Sequence, residues 1–587
     1  MDQETKPHSA SSVQQCQNCK QDFTIEPEDF TFYEKIKVPA PTFCPECRLQ
    51  RRLSFRNERV LYKRSCGLCK KEVISVYHPE SNNIMYCQEC WWSDKWNPLS
   101  YGRDVDFSKP FFEQYHELSR EVPRVSLINA NSVNSEYTHL AADNKDCYLL
   151  FESSNNESCN HCYWMQQSKD CLDCAFVNNS ELCYEVFVAW KCYNLFFSKE
   201  CRDCTDSYFL QDCVGLSNCY GCVGLRQKQY YIFNQPYSKE EYFEILEEKK
   251  QQIKEGNIDA LKKEFKDFAI KQINKYAYIQ KSVNGIGNYL LNTKNCVYCF
   301  HGYEAENCKY GYHVMRNAKD SMDVSTIGIG AEMIYETLNS GIDVYNIKFG
   351  IQLWNGNSDI QYSESCQSSS NLFGCISLHG NNYCILNKQY TKEEYEVLVP
   401  KIIEHMKKTG EYGEFFPKEL SLFAYNETVA NDHFPLSKNE ALQKGLTWRE
   451  QEQKDNQPTL MQSDLQDIEK IDDSILKEII ECNHEGDCND MCTVGFRLIK
   501  TELDFYKKMN LPVSKLCPNC RHYERLKQRN PLKLWHRQCM CDYKAYNNTS
   551  KHSHHAEGQC PNEFETSYAP DRPEIIYCEQ CYQQEVV

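Results

Sequence analysis

The chain has 587 residues, 36 of them cysteine and 39 tyrosine, with 41% hydrophobic residues and a formal net charge of −17. That length calls for several domains, and the aromatic, apolar content excludes an intrinsically disordered chain. Met1–Gln15 has no apolar stretch of signal-peptide type, and no run approaches the roughly 18 apolar residues of a spanning helix, so the expected location is the cytoplasm, without membrane partners.

In such a compartment, thiols and thiolate–metal bonds are expected over disulfides. The cysteines fall in three blocks, 16–90, 147–384 and 482–581. Residues 1–15 read as a disordered tail. Residues 16–100 then carry four C-x2-C pairs: Cys16 and Cys19, Cys44 and Cys47, Cys66 and Cys69, Cys87 and Cys90. Each pair puts two sulfurs on one side of a metal, and a second pair closes a tetrahedral zinc shell. Sequential pairing gives two closed sites, Cys16, Cys19, Cys44, Cys47 and Cys66, Cys69, Cys87, Cys90. Shells of four thiolates serve a fold rather than chemistry.

A basic run follows the second pair: Arg48, Arg51, Arg52, Arg56, Arg59, Lys63 and Arg64. Arginine suits bidentate phosphate contact, so the run is a candidate nucleic-acid surface. Its other reading is a helix face that pairs with the acidic middle of the chain. Trp91, Trp92 and Trp96 either stack on a base or sugar, or pack the module against its neighbour.

Residues 101–236 read as a β-solenoid. C-x8-C units begin at Cys162, Cys183 and Cys204, 21 residues apart, among short apolar runs and Asn/Asp/Ser turns. Residues 237–284 read as helical, opening on the capping-box pattern Ser238 to Glu241. A second solenoid at 285–389 repeats the first. Cys147 and Cys159 recur as Cys296 and Cys308, and Cys213 and Cys222 as Cys366 and Cys375, the offset growing from 149 to 153. In this alignment Cys171 faces Ser321, Cys174 faces Val324 and Cys192 faces Val344. Valine cannot be a ligand, so these cysteines read as small core side chains. A helical segment at 390–449, opening at Thr391, would cap the second solenoid as the first segment caps the first. Residues 450–480 read as an acidic, mobile linker.

Residues 481–587 repeat the N-terminal module. Cys19 to Cys44 and Cys492 to Cys517 are both 25 residues apart, and Cys47 to Cys66 and Cys520 to Cys539 are both 19. The expected sites are Cys488, Cys492, Cys517, Cys520 and Cys539, Cys541, Cys578, Cys581, which makes four zinc ions in all. The spacings leave room for Cys482, His484, Cys560, His552, His554 or His555 to replace one of these ligands. The basic run recurs as Arg521, Arg525, Lys527, Arg529, Lys533 and Arg537.

The segments FYEKIKVPAPTFCPECRLQRRLSFRNERVLYKR, YCQECWWSDKWNPLSYGRDVDF and NQPYSKEEYFEIL resemble a group of uncharacterised zinc-ribbon proteins of candidate-phyla, Patescibacteria-type bacteria, over nearly the full chain. The resemblance implies no established activity and no catalytic residues. Such proteins are sometimes labelled CaiB/BaiF-type CoA-transferases, which are α/β enzymes with an Asp nucleophile, and this sequence provides no such context. Nor does it hold a P-loop, H-E-x-x-H or G-x-S-x-G pattern. His301, His313 and His379 read as packed or surface residues.

The expected fold is therefore multidomain and mainly β: a duplicated, cysteine-rich β-solenoid with helical caps, flanked by two-zinc ribbon or treble-clef-like modules. The expected function is a non-enzymatic scaffold whose partners are proteins and RNA, DNA or a ribonucleoprotein. A solenoid enzyme acting on polysaccharide or a small molecule, and a cysteine-rich metal or redox protein, stay open as alternatives.

Overall fold

The computed structural model describes residues 11–450, 457–465, 467–543, 548, 550–555 and 557–586. The chain divides into two units. The first comprises residues up to Leu127, Ala277–Arg449 and Leu532–Leu534; the second comprises Ile128–Tyr276, Glu450–Pro531 and Trp535–Val587. Each unit thus joins one cysteine module to one strand-rich stack, and the N-terminal module goes with the second stack. Among the described residues no helix is long and apolar enough to cross a membrane.

In the second unit's stack the chain lies parallel to itself with a register of 12 residues. Ala175 pairs with Phe187 and Phe187 with Lys199, and single bridges such as Val133 to Lys145 and Lys145 to Glu157 continue the ladder. The expected 21-residue period is corrected to 12, built from steps of three. From Asn131 to Tyr230 every third residue has a positive φ, so the chain turns once per triad. Asn and Asp, which tolerate this region, hold many of these corners. The residue after each corner from Asp146 to Gly221 points inward: Cys147, Leu150, Ser153, Asn156, Cys159, Cys162, Met165 and so on to Cys222 are all buried. All twelve cysteines between 147 and 222 fall on this phase. Twenty-one is simply another multiple of three.

The inward thiols donate to backbone carbonyls of their own coil, as Cys162 Sγ does to Asn160 O at 3.1 Å. Burial pushes the Cys162 and Cys174 thiols well above the ordinary cysteine range. The partner positions Ser321, Val324 and Val344 are buried in the same way in the first unit's stack. There the register widens to 13 over four successive rungs, Glu306 to Lys319, Glu332, Tyr345 and Ser358. These four extra residues account for the growth of the sequence offset from 149 to 153.

Each stack ends alike. Asn234, at φ 63°, pairs its amide with both backbone groups of Val223 at 2.9 Å, and Asn387, at φ 61°, does the same with Ile376 at 2.7 and 2.9 Å. A helix follows, Lys239–Lys254 or Lys392–Lys408, and both helices carry the expected capping box.

The expected boundaries shift in three places. Residues 1–10 of the expected tail lie outside the described residues, and Ser12–Gln15 is a strand. Residues 101–127 belong to the first unit, where the helix Phe111–Glu121 buries Phe111, Phe112, Tyr115 and Leu118. In the expected linker, residues 451–456 and 466 lie outside the described residues, but Ile468, Ile475 and Ile480 are packed in the second unit's core.

The modules share one plan. The N-terminal one runs β1 (Ser12–Gln15), β2 (Asp22–Ile25), α1 (Pro27–Ile36), α2 (Pro45–Leu53), β3 (Tyr62–Ser65) and β4 (Glu72–Ser75). The C-terminal one repeats it with α3 (Lys500–Met509), α4 (Pro518–Leu526), β5 (Trp535–Gln538), β6 (Glu563–Thr566) and α5 (Glu579–Val586).

If the stack cysteines are core side chains, Cys174→Val should cost less than about 1.5 kcal/mol and leave the metal content unchanged, because valine already fills the matching position 324. Thermal denaturation and elemental analysis of the variant check this; loss of a metal ion would make Cys174 a ligand.

Candidate metal centres and a buried arginine lock

Four groups of four cysteines bring their sulfurs within 4.8 Å of one another: Cys16, Cys19, Cys44, Cys47; Cys66, Cys69, Cys87, Cys90; Cys482, Cys492, Cys517, Cys520; and Cys539, Cys560, Cys578, Cys581. Sulfurs bound to one tetrahedral ion at about 2.3 Å would stand about 3.8 Å apart. Cys19 and Cys44, and Cys69 and Cys87, are each 3.8 Å apart, and Cys560 and Cys578 are 4.0 Å apart.

All four groups are assembled by the same local device. A hairpin brings in the first two thiols, and the third cysteine stands where a helix begins. That cysteine's N–H donates to the first sulfur: Cys44 to Cys16 at 3.2 Å, Cys87 to Cys66 at 3.3 Å, Cys517 to Cys482 at 3.2 Å and Cys578 to Cys539 at 3.1 Å. Donors aimed at sulfur favour the thiolate that a metal needs. Burial would raise the Cys16 thiol, but the backbone N–H groups of Cys44, Cys19 and Asn18 outweigh it and bring it down to about 7. The same balance of burial against N–H groups brings Cys66 to about 6.

The eight N-terminal cysteines group as the spacing predicts. In the C-terminal module two assignments are corrected. Cys482 replaces Cys488, and Cys560 replaces Cys541, because both C-terminal hairpins carry an insert between their two cysteines. Cys482 N–H donates to Val494 O at 2.8 Å, as Cys16 N–H does to Gln21 O at 2.9 Å. Cys539 N–H donates to Asn562 O at 2.8 Å, as Cys66 N–H does to Lys71 O at 2.8 Å. One interval marks Cys560 in the sequence: it precedes Cys578 by 18 residues, as Cys69 precedes Cys87. Cys488 lies beside its group, 3.9 Å from Cys520 Sγ.

The arginines are not placed for phosphate. Arg48 and Arg52, 1% and 0% exposed, run from α2 into the first unit's stack. Arg48 Nη2 is 2.8 Å from Asp323 Oδ2, and Arg52 Nη1 is 3.1 Å from Glu336 Oε2. Arg51 pairs with Glu414 at 2.8 Å and Glu336 at 3.4 Å, and buried Arg56 pairs with Glu58 at 2.5 Å and with Thr326 Oγ1 at 2.8 Å.

The second unit repeats the lock. Arg521 and Arg525 each reach one oxygen of the fully buried Asp173 at 2.7 Å, and Arg521 also meets Glu502 at 2.8 Å. Asp173 occupies the stack position of Asp323. Burial would raise the Asp173 carboxyl, yet the guanidiniums of Arg521 and Arg525 hold it below the ordinary range. Glu502 is likewise held at about 2, against its burial, by Arg521 and His161.

The expected nucleic-acid contacts of Arg48, Arg51, Arg52, Arg56, Arg521 and Arg525 are therefore corrected to ion pairs and hydrogen bonds inside each unit. Arg59 and Arg529 are half-buried, and exposed Lys527 pairs with Glu524 at 2.7 Å and Asp490 at 3.1 Å.

The tryptophans pack in the same sense. Trp91 is buried, with its ring 4.3 Å from His379 of the stack, and Trp96 donates to Trp91 O at 2.9 Å, while Trp92 is half exposed. Burial lowers His379 to about 4.

Removing one member of a buried ion set strands the other charges. Asp173→Ala should therefore destabilise the second unit by about 3–5 kcal/mol, whereas Lys527→Ala, on an exposed pair, should change it by less than about 1 kcal/mol. Chemical denaturation of the two variants compares them; equal effects would show that Asp173 does not anchor the module. Compared with known proteins, the chain matches no family model and no curated protein.

Proposed function

We propose that the protein is a zinc-dependent, non-enzymatic scaffold made of two β-solenoid units, each with a two-zinc module clamped to its solenoid. The observation that carries this reading is the pairing of closed four-thiolate groups with a buried arginine lock, repeated in both units. In each module the same helix holds two sulfurs at its start and two guanidiniums within its next turns. Zinc at that point stabilises the helix that docks the module, which is the work of a structural ion.

The solenoid reading is supported by the continuous 12- and 13-residue parallel register and by inward ladders of Cys, Ser and aliphatic side chains. The outward positions carry repeated polar pairs, such as Asn284 to Asn295 and Asn295 to Asn307, each at 3.0 Å, and Lys294 to Glu306 at 2.6 Å. Such faces suit the presentation of a surface to a partner better than the turnover of a substrate. Because the arginines serve the interior, the expected partner is a protein.

After exchange of zinc for cadmium, 113Cd NMR of the intact chain should show four resonances in the far-downfield region of four-thiolate shells. Fewer than four there would overturn the closed-shell assignment. Isolation of the tagged protein from its source should yield a protein partner that survives nuclease treatment; a partner released by nuclease would restore the nucleic-acid reading through other side chains.

A further inference from the structure

The insert between Cys539 and Cys560 carries its own set of metal-binding side chains. Cys541 Sγ lies 3.4 Å from His552 Nδ1 and 3.4 Å from His555 Nε2. Those two imidazole nitrogens are 3.2 Å apart, and Cys581 Sγ is 3.4 Å from His555 Nε2. The four atoms all fall within 4.8 Å of one another. A tetrahedral ion with nitrogen at about 2.05 Å and sulfur at about 2.3 Å would hold its nitrogens about 3.3 Å apart and its nitrogen–sulfur edges near about 3.6 Å. The observed separations follow that pattern, the nitrogen pair being the shortest edge.

A second observation concerns His552 alone. Its other nitrogen, Nε2, is 2.8 Å from Glu585 Oε1 on α5, with both side chains buried. A proton on Nε2, shared with that carboxylate, leaves the Nδ1 lone pair facing Cys541 and His555. This is the outer-sphere carboxylate that orients a histidine ligand. The N-terminal module has no counterpart, since only Gly67 and Leu68 separate Cys66 from Cys69.

We propose that Cys541, His552, His555 and Cys581 hold a fifth metal ion, and that the Cys581 thiolate bridges it to the ion of the Cys539, Cys560, Cys578, Cys581 group. The C-terminal module is then the seat of a two-metal cluster. His554 Nε2 flanks the bridge, 3.2 Å from Cys581 Sγ and 3.5 Å from Cys560 Sγ. Two thiolates and two neutral imidazoles suit zinc. Binding releases the Cys541 proton to solvent and leaves the imidazoles neutral. The proposal rests on the zinc reading of the fourth group and adds to it.

Metal content of the full chain, by native mass spectrometry and elemental analysis in zinc-containing buffer, tests it. Five zinc ions are expected in the wild type and four in Cys541→Ser and in His552→Ala/His555→Ala. Glu585→Gln, which keeps the helix and every ligand, should weaken one zinc about 10–100-fold in chelator competition. Four ions in both wild type and variants would overturn the fifth site and leave the four-site reading intact. Five in wild type and variants alike would place the extra ion elsewhere and also overturn it. Fewer than four in the wild type would sink the four-site reading and the cluster with it.

Discussion

A guanidinium with no access to water must have its charge met by buried carboxylates, and each unit sets such acids against its arginines. On α2 the sequence of roles is compact. Cys44 caps the helix and Cys47 lies in its first turn; Arg48 and Arg52 follow one turn apart on the same face. The turn that a metal would fix is therefore continuous with the turn that enters the stack. The receiving carboxylate is equally well placed: Asp173 and Asp323 both stand at a triad corner, at φ 54° in each case. Aspartate is one of the few side chains that accept that backbone and can also neutralise two arginines.

Replacing such a set by apolar residues commonly leaves stability unchanged or better, so its persistence in both units points to a role in choosing the partner surface. The two locks differ around their shared core. In the first unit the stack contributes Glu336 as well as Asp323, and Arg51 reaches Glu414. In the second unit the corresponding Glu185 pairs with Lys262, and the second carboxylate comes from the module itself as Glu502 on α3. The residue matching Glu502 on α1 is Asp29, which binds Lys309 at 2.6 Å. One acid has moved from stack to module, while the buried core of arginines and aspartate is retained.

Local chemistry was legible in the sequence, and its spatial partners were less so. The N-terminal thiol groups could be read because both cysteines of each hairpin are three residues apart. Inserts hid the matching pairs in the C-terminal module, where Cys482 belongs with Cys492 and Cys539 with Cys560. The duplication was visible, but cysteine fills only some inward positions, so the spacing of 21 masked a step of three and a coil of 12. The basic runs were visible as charge; the stack acids they meet lie more than 270 residues away in the first unit and about 350 in the second, as in Arg52 to Glu336 and Arg525 to Asp173, beyond any local pattern.

The interleaved connectivity also has a meaning for the order in which the chain is made. The first module is complete by Leu127, yet its stack begins only after Tyr276, and the stack made in between waits for a module at the far end of the chain. During synthesis one module and the wrong stack are therefore present together, both bearing the common core of the lock. What the wrong pairing lacks is the variable rim. Glu414 does not yet exist for Arg51, and Asn160 stands where Asp29 would need Lys309. The differences between the two locks thus distinguish the early module's own stack from the one made before it.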